Sequence, residues 1–530
     1  MATLPAGAPE TPRAAHALRP RYALGLLALA LAMLALHGYH PFAEDGGLYA
    51  AGIERLLQPG LFAGHSAFVT EHLRFSLFAP AVALLVRATR LPLDWALLLL
   101  YASSLWLTLA AGWALLGRVL GNSATGTRAR WGGVLLLALW ATLPVAGTSL
   151  VLLDPYLTAR SLSTPLTLWA MAFALEDWRG RAQPAVACAL CLAAAALLHP
   201  LMAGYALAFV LTLRLLRLRR RIAVWGGLLL LALAMAATLQ ALTPAEGPAA
   251  VAAALSRYYW FLSQWQWYEL CGLAGPLLLL AALLRWPGAL LSKRPNEADQ
   301  PDALRLLVEA ALGLGLLATL VALLFAREGM AAHMVARLQP LRVFLTIYAV
   351  MALLLGARLA MAGPKTLGLA IVRGAAVLAM AAAMFWAQRA VYPASAHLEL
   401  PWRSADDPNR WTQAFLWART HTPPQALFAL DADYITTAGE DAQGFRALAQ
   451  RSALPDFSKD GGVASLAPRL ADAWRQGVQA QTGLSTESDA VRHARLLPLG
   501  VSWMVLHSTA AAAMPCPYDN GTVKVCRLTP

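Results

Sequence analysis

The stretch from Tyr22 to Tyr49, YALGLLALALAMLALHGYHPFAEDGGLY, decides how this chain is read. Its first half, residues 22–37, holds no Asp, Glu, Lys or Arg. An uninterrupted run of that kind approaches the roughly 17–25 apolar residues of a membrane-crossing helix. Its second half sets two acids side by side, Glu44 and Asp45, just past the end of the run. Carboxylates next to hydrocarbon are costly and need a reason.

Working outward, the same texture fills most of the 530 residues. Hydrophobic residues make up 59% and charged residues 13%, against roughly 45–50% and about 25% in soluble domains. Mean hydropathy is +0.54. A soluble enzyme, a disordered chain and a disulfide scaffold are excluded. Apolar runs recur at 22–37, 92–117, 131–150, 163–176, 184–198, 200–216, 222–242, 272–287, 303–326, 341–360 and 366–388. The expectation is a mainly α, polytopic helix bundle of about eleven spans, with segment 1–21 cytoplasmic and the membrane domain at 22–388. The first run is kept as an anchor, because no small-x-small cleavage signal follows Leu36.

Charge orients the bundle. Residues 389–530 hold 13 basic and 13 acidic side chains, so the net charge of +13 belongs to the first 388. Basic residues concentrated in short loops between apolar runs mark the cytoplasmic side; nucleic-acid binding is not the reading. The run 75–89 is short, and if it crossed, most basic loops would face outward. It is therefore placed on the outer surface or re-entering the bilayer. The N-terminus is then inside, and 389–530 form an extracytoplasmic α/β domain with helices near 411–419 and 470–480 and strands near 426–430 and 501–506. High Ala, Leu and Arg usage points to a bacterial source and hence an inner membrane.

In that topology the outer loops hold the informative polar residues. Asp45 either caps the following amphipathic helix or does chemistry. Asp154 is a turn residue before Pro155, with Arg160 as its expected partner. His199 interrupts an apolar stretch, as a cap, a core residue or a ligand. Tyr258, Tyr259, Trp260, Trp265, Trp267 and Tyr268 suit a membrane-interface belt, and also suit sugar stacking. Arg337 and Arg342 face outward against the topological bias, which either lipid headgroups or a bound phosphate explains. Cys516 and Cys526 flank an Asn-Gly turn, and a disulfide across that hairpin is expected. Cys188 and Cys191 read as small apolar filler.

The layout resembles the GT-C glycosyltransferases, membrane enzymes that use polyprenyl-phosphate-linked sugars, such as protein O-mannosyltransferases and aminoarabinose transferases. The residues that carry the likeness are Glu44-Asp45 after the first span, the surface helix behind them, the non-crossing 75–89, Gly117-Arg118, and Asp154 at the start of the second outer loop. Many relatives place Asp before Glu; here the order is reversed, so both carboxylates stand as catalytic candidates. No Trp-Trp-Asp motif of the oligosaccharyltransferases occurs. The resemblance implies an inverting transfer from a polyprenyl-phosphate sugar to an extracytoplasmic glycan, lipid or protein. Asp45, with Glu44 second, would be the general base. Asp154, Arg160, His199, Arg337 and Arg342 would hold the lipid phosphate, or a divalent cation (Mg or Mn) would sit on Asp45 and Asp154. Two other classes are a lipid-linked-glycan transporter and a non-catalytic scaffold with a degenerate GT-C fold.

Overall fold

The computed structural model describes residues 19–121, 123–218, 220–285, 302–363, 366–402 and 407–528. Segment 1–18, most of the expected cytoplasmic N-terminus, lies outside them.

Each apolar run forms a helix, bounded by local chemistry. The first, Pro20–His37, begins on a proline whose fixed φ suits the first turn and ends at Gly38 with φ +81°. The Ala159–Ala174 helix opens on a reciprocal capping box between Thr158 and Ser161. Pro200 starts Pro200–Leu216, and the preceding His199 caps it, Nδ1 accepting from the Met202 amide at 3.4 Å.

Among the described residues, seven helices are long and apolar enough to cross a membrane, or eight if one bent pair counts as a span. This is fewer than the eleven expected, and the shortfall is one of length. Ala124–Leu139, Ala159–Ala174, Ala182–Leu198 and Pro200–Leu216 have 16 or 17 residues, about 24–26 Å at 1.5 Å per residue. The hydrocarbon core needs about 30 Å. The run 131–150 loses its second half because the chain leaves the helix at Trp140. It then turns through Pro144, Ala146 and Ser149, the last two at positive φ. The bent pair is Ala67–Phe75 and Phe78–Thr89, which meet at 99°.

Residues 410–528 build a small α/β unit. Its sheet has the order β2-β1-β3-β5-β4, with β1 (Leu427–Ala429), β2 (Ser452–Ala453), β3 (Trp503–His507), β4 (Tyr518–Asp519) and β5 (Val523–Arg527). β1 lies parallel to β2 and β3; β5 lies antiparallel to β3 and β4. Cys516 and Cys526 are disulfide-bonded. This unit is fastened to the helical part at several points. The Arg257 guanidinium donates to the Phe457 and Ser458 carbonyls at 3.0 and 2.6 Å. Gln450 donates to Glu54 at 2.9 Å, and Arg469 pairs with Glu71.

Candidate functional site

Two glycines project the acidic pair. A Cβ on Gly46 would lie 2.5 Å from the Pro41 carbonyl oxygen, and one on Gly47 would lie 2.7 Å from that of Phe42. Only glycine lets the 41–44 turn fold back so tightly on the start of the Asp45–Leu57 helix. Glu44 absorbs the turn at φ +51°, and Asp45 becomes the first helical residue. Neither caps the helix through its side chain, so the capping role open to Asp45 is not used.

Asp45 lines a cavity of about 1400 Å³. Part of its wall is apolar, with Leu201, Ala208, Met235, Leu239, Leu314 and Val321. Part is charged and mixed in sign, with Asp45, Glu71, Glu246 and Asp472 against Arg160, Arg337, Arg342, Arg469 and Lys459, and His199 among them. Five of the expected site residues, distant in sequence, therefore meet at one hollow. Ala236 is the only buried residue of the Arg221–Leu242 wall helix, and Met235, which lines the cavity, is 56% exposed. The wall here is one helix thick.

The two acids divide their duties. Lys459 Nζ lies 3.3 Å from Asp45 Oδ1 and pairs with Glu44 as well. Glu44 turns instead to a small hollow with Gln443, Tyr434 and Arg446, and does not line the large cavity. Burial opposes charge on Asp45, but Lys459, Arg160 and Arg342 outweigh it and hold the carboxyl well below the usual carboxylate range.

The cations also differ. Arg160 donates Nε and a terminal nitrogen to Asp154 Oδ2 at 3.0 and 2.7 Å, so Asp154 reaches the cavity only through Arg160. Burial lifts Asp154 above the ordinary carboxylate value despite that partner. Arg337 is locked to Glu246 at 2.6 Å and to the Ser465 carbonyl at 2.6 Å. Arg342 has no carboxylate partner among the described residues; Tyr259 lies under its guanidinium, centroid at 5.8 Å. His199 is pushed down to about 3 by burial and by the nearby Arg160 and Arg342, so it is neutral at physiological pH.

A divalent cation on Asp45 and Asp154 fits this donor set poorly. Each carboxylate is already matched to a cationic side chain. Among the described residues no three His, Cys, Asp or Glu side chains converge as metal ligands. No step is assigned to such an ion.

Sequence reasoning missed Lys459, which no motif marks. The signal it offers is rarity: Lys459 is one of only four lysines among 42 basic residues. Chemically, the hollow can bury an apolar tail along its helices and hold an anion against Arg342 and Lys459, with a carboxylate alongside. No protein-family model matches the chain, and no curated protein matches its sequence.

Proposed function

We propose that this chain is an integral membrane glycosyltransferase. It moves a sugar from a polyprenyl-phosphate donor to an extracytoplasmic glycan, lipid or protein acceptor, with the N-terminus cytoplasmic and residues 389–530 on the far side of a bacterial inner membrane. The observation that carries this reading is a cavity with apolar helix faces in its wall and, around Asp45, the cations Lys459, Arg160 and Arg342. That combination matches an amphiphile with one anionic group. Its volume exceeds the ~300–1,000 Å³ of ordinary small-molecule pockets, and its single-helix wall suits lateral entry of a lipid tail.

In this mechanism the donor phosphate lies against Arg342 and Lys459, and the apolar tail runs along the Arg221–Leu242 helix. Asp45 accepts the proton of the acceptor hydroxyl as that oxygen attacks the anomeric carbon. The bond from that carbon to the phosphate oxygen breaks, and its electron pair leaves on the phosphate. Arg342 and Lys459 stabilise the growing charge. An arriving phosphate also competes with Asp45 for Lys459, which raises the basicity of the carboxylate when the donor is in place. Glu44 keeps Lys459 within reach, and Asp154 orients Arg160. Inversion at the sugar follows from a single displacement.

The test compares envelope glycans by mass spectrometry in cells carrying the wild-type gene, the Asp45→Asn variant or no gene. The expected result is one glycan species lost in both the null and the variant, with the variant present at wild-type level in the membrane and a drop in transfer of at least about 10²-fold. Full activity in Asp45→Asn would reject the base assignment. A transporter would fill the same cavity without a base, and its product would survive this substitution.

A further inference from the structure

Two side chains of the large cavity carry polar atoms that the mechanism does not use. Tyr49 sits one turn after Asp45 on the Asp45–Leu57 helix, the spacing that puts both on one helix face, and both line the cavity. The Tyr49 hydroxyl has no hydrogen-bond partner among the described residues and is not sealed from solvent. The same holds for Nε2 of His199, which also lines the cavity. Neither residue borders the smaller hollows beside Asp154, Glu44 or Tyr259.

Both side chains are held in place from one segment. The Tyr49 ring is packed edge-on against His72 and Phe78, with centroids 5.1 and 5.2 Å away. The chain just before His199 is tied to the residues before Phe78. The Leu77 amide donates to the Leu197 carbonyl at 2.8 Å, and the Ser76 hydroxyl donates to that of Leu198. Asp45, Arg160 and Arg342 act electrostatically on both Tyr49 and His199, which places the two at the same end of the cavity. Their protonation is settled as well. Burial and the Asp45 charge push Tyr49 up to about 12, so it keeps its O–H. His199 is neutral at physiological pH, and its Nδ1 accepts from the Met202 amide, which can only donate. The one ring proton is therefore on Nε2, the nitrogen left open.

Resting on the donor reading above, we infer that Tyr49 and His199 form the subsite that binds the hydroxyls of the donor sugar. The chemistry identifies the ligand class. In that reading the phosphate already has Arg342 and Lys459, and an uncharged donor adds little beside two cations. A sugar offers neutral hydroxyl oxygens. Each can accept from His199 Nε2, and each can either accept from or donate to the Tyr49 hydroxyl. The sugar's anomeric carbon has to lie beside Asp45, one helical turn from Tyr49. The resemblance implied a phosphate role for His199; a ring that carries no charge suits the sugar instead.

The test uses the full-length protein in nanodiscs and measures binding of polyprenyl phosphate carrying no sugar, glucose, mannose or N-acetylglucosamine. Tyr49→Phe removes only the hydroxyl. His199→Asn leaves a side-chain oxygen to accept from the Met202 amide and removes Nε2. The wild type is expected to prefer at least one glycosylated lipid over the bare phosphate by about tenfold or more. Each variant should lower that preference by about threefold or more, and the double variant should bring it to within about twofold. Affinity for bare polyprenyl phosphate and the unfolding temperature should stay at their wild-type values. Three results would overturn this subsite while leaving the donor reading intact: variants that keep the wild-type preference, variants that lose affinity for bare and glycosylated lipids alike, or a wild type that binds both kinds equally. A wild type that binds neither the bare nor any glycosylated lipid would overturn the donor reading and the subsite together.

Discussion

Lys459 and Asp45 make the chemistry of the site conditional. A carboxylate held below its ordinary range by an adjacent ammonium is a poor base until something else takes the ammonium. The sign of the pH effect follows from this. Asp45 is ionised well into acid in the free protein, so kcat/KM should hold its value as pH falls through the ordinary carboxylate range of about 4. Lys459→Met removes the nearest cation, the Asp45 carboxyl titrates higher, and the acid limb of kcat/KM should move to higher pH. A profile in which the acid limbs of variant and wild type coincide would contradict the pairing as a control on the base. At this scale the sequence was readable where a residue stood out against its surroundings. Acids beside an apolar run pointed to Asp45, arginines on the wrong side of a charge bias to Arg337 and Arg342, and the turn acid Asp154 to Arg160 as its partner. They could not separate Arg337, spent on Glu246, from Arg342, because that depends on which neighbour arrives from elsewhere in the chain. Lys459 escaped notice for the same reason: its meaning comes from a partner 414 residues away.

Among the elements, apolar periodicity located the helices and left their lengths uncertain. Run 131–150 looked like one span because composition alone does not register the turn at Pro144. What the helix Ala124–Leu139 does instead is pack closely on Phe344–Met361. A Cβ on Gly132 would lie 2.5 Å from the Gly356 carbonyl oxygen and 2.4 Å from the Ala360 Cβ. Small residues at a crossing let two backbones approach, the usual means of helix association in a bilayer. Gly132→Leu should force these helices apart, at a cost of about 1–3 kcal/mol, read as a lower unfolding temperature in detergent. The half-buried Gly226, with open space around its Cβ position, is the control, and Gly226→Leu should leave that temperature near the wild-type value. Equal behaviour of the two variants would remove the close crossing from the account.

For the whole molecule, the decisive contact is between the C-terminal α/β unit and the helices, because it brings Lys459 to the cavity. That seam includes Glu54, 8% exposed, with Oε2 unmatched and Oε1 bonded to Gln450. Burial pushes Glu54 up to about 8, against the smaller opposing effects of Gln450 and Arg419. An acid whose folded value is raised binds its proton more tightly in the folded state, so stability is lost as pH rises from about 4.5 towards 8. Glu54→Gln should flatten that decline, measured as unfolding temperature against pH from 5 to 9. A variant that loses stability with pH as the wild type does would place the decline elsewhere. The seam was not legible in the sequence, since no motif marks either side of it; it exists only as a fit between folded surfaces.

The most direct measurement is a cryo-electron-microscopy map of the protein in lipid nanodiscs with a polyprenyl-phosphate-linked sugar added. The account predicts density for the phosphate between Arg342 and Lys459, the sugar next to Asp45, and the tail against the Arg221–Leu242 helix. A lipid bound elsewhere on the bundle, with the Asp45 cavity free of it, would contradict the account.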